Sequence, residues 1–85
     1  MKTFDRAEFI QDIKKLLALM ASVPMDGISL DDRLREDIGL DSLQSMELLS
    51  RISEKWEIDV EMEDIIQVKT VGDVVDFMDR VAAAA

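Results

Sequence analysis

The stretch Glu36-Asp37-Ile38-Gly39-Leu40-Asp41-Ser42-Leu43-Gln44-Ser45-Met46-Glu47-Leu48-Leu49-Ser50-Arg51-Ile52-Ser53-Glu54-Lys55-Trp56 decides the fold. From Asp41 onward its apolar residues recur at helical spacing. At about 100° per residue, Ser45, Leu48, Leu49, Ile52 and Trp56 gather on one side of a helix, as a core stripe does. Leu43, Met46, Glu47, Ser50 and Glu54 fall on the other side. The helix is predicted to start at Asp41 or Ser42 and to run to Lys55 or Trp56. Asp41 is placed to cap it, with Gln44 reaching back from three residues on.

Two features of this helix lie outside the core pattern. Leu43 and Met46 point outward beside carboxylates, which is the make-up of a docking surface: acids attract and apolar side chains supply contact area. Ser42 stands where a long acidic loop meets the helix. On physics alone an alcohol there reads as a helix cap. The same position also offers free N–H groups and the positive end of the helix dipole, which suit a phosphate esterified to the serine.

Working outward, residues 5–20 carry Phe9, Ile10, Ile13, Leu16, Leu17 and Met20 in one helical stripe. Asp5 and Glu8 have capping-box spacing at its start. Pro24 and Gly27 end the regularity. Residues 21–41 then form a long connection whose spaced apolar residues (Val23, Met25, Ile28, Leu30, Leu34, Ile38, Leu40) predict a loop pinned to the core. A short helical turn is expected at 61–66. A last helix begins near Thr70, where Thr70 and Asp73 fit a capping box, and Val71, Val74, Val75, Met78 and Val81 point inward with Phe77 beside them. No strand signal is present. The reading is all-α: a small bundle of four helices, three long and one short, with a long first loop. It forms one domain over residues 1–85, of which 82–85 read as a fraying end or an unstructured tail.

Composition limits the chemistry. Among its 85 residues the chain has no cysteine, histidine or tyrosine, so disulfides, thiolate metal sites and the commonest general base are excluded. Nothing pairs a nucleophile with a base, and the acidic segments lack the spacing of a calcium loop; the expectation is no catalytic and no metal-binding residue. The net charge of -9 argues against nucleic acid and anionic lipid surfaces and favours partners with basic docking patches. Residues 31–64 hold twelve acids and four bases, nearly all of the excess. No signal peptide or membrane-spanning run is visible, and a monomer in the reducing cytoplasm is expected.

The run from Glu36 to Leu43, followed by Met46-Glu47-Leu48, closely resembles the phosphopantetheine attachment motif of acyl carrier proteins. That family has a Leu-Gly-x-Asp-Ser-Leu core leading into a helix, with Ile38 here in place of the first Leu. Residues 34–38, the Trp56-Glu57-Ile58 helix end and the run from Lys69 to Asp73 resemble the family too. The resemblance implies a non-enzymatic carrier holding acyl intermediates as thioesters on a 4'-phosphopantetheine arm attached to Ser42. Asp41 would help position the serine for the phosphopantetheinyl transferase that loads it. Leu43, Met46, Glu47, Ser50 and Glu54 would meet the transferase and the acyl-synthesising or acyl-transferring enzymes. Leu48, Ile52 and Trp56 would line the interior that receives the acyl chain. The other readings are a peptidyl carrier and an acidic helical interaction module without a covalent arm.

One departure bears on the pathway. Family members serving fatty-acid synthesis have a densely acidic second helix, whereas here Gln44, Arg51, Ser53 and Lys55 interrupt it and only Glu47 and Glu54 are acidic between Ser42 and Trp56. A carrier for a polyketide or a dedicated acyl-transfer pathway is therefore weighed beside fatty-acid biosynthesis.

Overall fold

The computed structural model describes residues 4–84. It contains α1 (Arg6–Ala21), α2 (Ser42–Trp56), α3 (Met62–Gln67) and α4 (Val71–Ala84). The first loop holds a 3-10 turn (Met25–Gly27) and a π-helical turn (Leu34–Ile38). Among the described residues there are no strands, only an isolated antiparallel bridge between Arg33 and Thr70. The expected bundle of three long helices and one short one is the observed architecture.

Side-chain caps set the helix starts. The Asp41 carboxylate accepts from the Gln44 N–H at 2.7 Å, and the Gln44 side chain accepts from the Asp41 N–H at 3.2 Å, a complete capping box. Thr70 and Asp73 make the same exchange at the start of α4, with 3.0 Å in both directions. At α3 the Asp64 carboxylate accepts from the Glu61 N–H at 2.9 Å, and the Asp64 N–H donates to the Glu61 carbonyl. At α1 half of the expected box forms: Asp5 accepts from the Glu8 N–H. The C-terminal ends of α1 and α2 are closed by Ser22 and Glu57, non-glycine residues in the left-handed region. The helix of α4 continues through residues 82–84, where a frayed or unstructured tail was expected; the run of alanines has the highest helix propensity of any residue. Ala85 lies outside the described residues.

The core gathers from α1, α2, α4 and the first loop, with Ile65 of α3 packed against it. Phe9, Ile13 and Leu17 of α1 pack with Leu48, Leu49, Ile52 and Trp56 of α2 and with Val71, Val74, Val75, Phe77 and Met78 of α4. Ile28, Leu34, Ile38 and Leu40 of the loop are buried with them. The Trp56 ring meets the Phe9 ring edge-on at 4.8 Å between centroids.

The loop is ordered for a main-chain reason as well. The first N–H groups of a helix have no partner within it. In α4, the Val71 N–H donates to the Asp32 carbonyl at 2.9 Å and the Gly72 N–H to the Leu30 carbonyl at 2.7 Å. One residue before the cap, the Lys69 carbonyl accepts from the Leu34 N–H at 2.9 Å. The loop thereby caps the last helix, and the last helix fixes the loop.

Candidate functional site: the Asp41–Ser42 corner

The chain reaches Ser42 through a tightly closed turn. The Asp37 carboxylate accepts from the Arg33 N–H at 2.8 Å and from the Arg33 guanidinium at 3.3 Å, closing the π-helical turn over Leu34–Ile38. Those contacts, the backbone N–H first, hold the Asp37 carboxyl below its ordinary value. A depressed carboxylate contributes stability that is present above its unfolded pKa and is lost as pH falls through the folded one. The turn is therefore expected to loosen under acid, below about pH 4. Stability measured across that range in wild type and Asp37→Asn should converge on the acid side and separate above it.

Gly39 ends the turn with φ 94°, in the left-handed region. A Cβ built there meets no atom within 4 Å, so space is not the constraint; the backbone conformation is. Gly39→Ala should lower stability by about 1–2 kcal/mol, read as a fall in the urea midpoint with an unchanged slope.

Beyond Gly39, Leu40 anchors in the core and Asp41 takes up the cap. Ser42 is consequently the first residue inside the helix and not its cap. Its side chain is exposed, and its hydroxyl has no hydrogen-bond partner among the described residues. Asp41 also satisfies the Ser45 N–H through its carbonyl. The first-turn N–H groups of Ser42 and Leu43 remain as the ones a phosphate on this corner could use. An accessible alcohol at the positive end of a capped helix fits the phosphodiester of a phosphopantetheine arm.

The faces of α2 separate as the periodicity predicts. Leu43 is 73% exposed and Met46 40%. Glu47, Ser50 and Glu54 are exposed on the same side. Glu47 is engaged by Arg51 at 2.9 Å, which neutralises part of this face. Leu48 and Ile52 lie sealed in the core, and Trp56 sits at the far end of the helix. The opening beside Ser42 is walled by other residues. It is a groove of about 360 Å³ with Leu34, Leu40, Met46, Ile65 and Val68 on its apolar side. Arg35, Glu36, Lys69 and exposed Ile66 also border it. Sequence reasoning did not place α3 or Lys69 here; the signal it held was a set of apolar residues (Ile65, Ile66, Val68) inside an otherwise acidic stretch.

A free serine on the first turn of a capped helix, beside a groove in a four-helix bundle, is compatible with a carrier-type site. Residues 11–78 match the family model described as "Phosphopantetheine attachment site". The acyl carrier protein of Campylobacter jejuni subsp. doylei is 31% identical over 80 residues, covering 94% of this chain and 96% of that protein. That of Saccharopolyspora erythraea is 35% identical over 82 residues, covering 95% and 86%. In fold the chain is similar to the acyl carrier protein from Enterococcus faecalis, with a TM-score of 0.77 at 23% identity over 88% of this chain and 95% of the other. The chain belongs to the acyl carrier protein family. Members are carriers and not enzymes, and membership implies a covalently attached 4'-phosphopantetheine prosthetic group.

Proposed function

We propose that Ser42 is the attachment residue for the 4'-phosphopantetheine arm and that the chain carries acyl intermediates for fatty-acid, polyketide or related acyl-transfer biosynthesis. The observation that carries the reading is the division of labour between two neighbours: Asp41 caps α2, leaving the Ser42 hydroxyl exposed and without an acceptor or donor among the described residues. The arm supplies a terminal thiol on which acyl groups are held as thioesters. The protein presents that arm at a helix start, where the dipole favours the phosphate charge.

Leu43 and Met46 supply apolar contact area for the loading transferase and for acyl-handling enzymes, with Glu47, Ser50 and Glu54 along the same face. No helix among the described residues is long and apolar enough to cross a membrane. The Glu47–Arg51 pair leaves this surface less acidic than the rest of residues 31–64, which supports a specialised partner set over general fatty-acid synthesis.

The test is to incubate the protein with coenzyme A and a phosphopantetheinyl transferase and to read the intact mass. A gain of one phosphopantetheine, mapped to the tryptic peptide spanning residues 36–51, is the expected result. No gain under conditions that load a control carrier would overturn the reading and favour an interaction module without an arm.

A further inference from the structure

The groove beside Ser42 carries two cations in a region of the chain that is otherwise strongly acidic. Arg35 and Lys69 both border it together with Ser42 and the carboxylates of Glu36 and Asp41. The other bases of residues 31–64 are engaged: Arg33 with Glu36 and Asp37, Arg51 with Glu47, Lys55 with Asp12. Among the described residues, neither Arg35 nor Lys69 has a carboxylate within ion-pairing distance. Their backbones are held together, because the Leu34 N–H next to Arg35 donates to the Lys69 carbonyl at 2.9 Å. Lys69 is fixed again by its own N–H, which donates to the Asp73 carboxylate at 2.9 Å. Two flexible cationic side chains thus stand on a rigid, spliced backbone at the rim of the groove that Ser42 opens into.

We propose that Arg35 and Lys69 form an anion clamp for the phosphodiester of an arm on Ser42, an inference that rests on Ser42 being the attachment residue. The sign of the charge makes it testable. On a chain of net charge -9, one more negative group is repelled by the whole, so loading without local cations gains only from the helix dipole. With the clamp, the phosphate gains two charge-assisted contacts. Arg35 reaches from the π-helical turn and Lys69 from the start of α4, so closing on the phosphate also ties the two segments together.

The experiment compares melting temperatures of unloaded protein and of protein purified to complete loading by intact mass, so that loading rate is not read. It uses wild type, the Arg35→Gln/Lys69→Gln double variant and the charge-retaining Arg35→Lys/Lys69→Arg variant. Both positions are exposed, and the unloaded variants are first checked for wild-type helix content. Expected is a rise on loading in wild type at about 20 mM salt that shrinks at about 300 mM, where screening is strong. The rise should be lost in the Gln variant and kept in the charge-retaining one. An equal rise in wild type and the Gln variant overturns the clamp while leaving Ser42 as the attachment residue. Loss in both variants overturns the electrostatic basis. Absence of any mass gain removes Ser42 and the clamp together.

Discussion

Ser42→Ala should abolish loading with phosphopantetheine while leaving the fold intact. The expected mass spectrum is that of the unmodified chain alone, because alanine has no oxygen on which to form the phosphate ester. The stability change should stay within about 0.5 kcal/mol, as for an exposed position with no special contact. The second half of this expectation is specific to the structure. If Ser42 were the cap of α2, its removal would cost about 1 kcal/mol. The cap is Asp41, and it is Asp41→Ala that should carry that cost, since the carboxylate that accepts from the Gln44 N–H goes with it, while the Asp41 N–H that donates to the Gln44 side chain stays. Asp41→Asn retains a good cap and removes the charge, so comparing the two separates structural from recognition effects of Asp41 on loading. A large stability loss in Ser42→Ala would show that the corner is held otherwise than by the Asp41 box.

Phe9→Ala should be the most damaging single truncation considered. Phe9 is 1% exposed and bridges Phe4, at 5.5 Å between ring centroids, and Trp56, at 4.8 Å. Truncating a buried phenylalanine costs about 3–5 kcal/mol. A domain of this length has about 4–13 kcal/mol in total at ordinary stability per residue. The variant is therefore expected to melt at least ~12 °C lower, by the scaling for small domains. Trp56 is the single tryptophan, and it loses its edge-on partner, so its near-ultraviolet circular dichroism should fall with the transition. Phe9→Leu, which keeps most of the volume, should cost markedly less. Equal losses in the two variants would show that the aromatic geometry and not the filled volume governs this junction.

Much of the fold was legible because side chains write it. The Asp41–Gln44 and Thr70–Asp73 pairs announce helix starts, and the apolar spacing of Phe9, Ile13 and Leu17 announces a core face. The outward direction of Leu43 and Met46 followed from the same arithmetic. What was hidden is written in main-chain contacts. The π-helical turn at 34–38 and the bonds from Val71, Gly72 and Leu34 use N–H and carbonyl groups that every residue has, so no residue type marks them. Asp37 and Gly39 left partial traces, one as a carboxylate four residues from an arginine, the other as a glycine at a left-handed position.

The groove beside Ser42 was not legible for a related reason. Leu48 and Ile52, expected to line the interior, are fully covered within the core and do not border the groove. The wall facing Ser42 comes from α3 and from Val68 and Lys69, far along the chain, and their meeting depends on tertiary packing that periodicity within one helix does not encode.

The splice between the first loop and the last helix also makes them a single cooperative unit. Leu30, Asp32 and Leu34 lose their partners together if the start of α4 frays, since three hydrogen bonds to residues 69–72 hold all of them. A chain cut just before Lys69 therefore forfeits more than a helix: all three bonds go, together with the core side chains of α4, and the approach to the serine-bearing corner loses its fastening.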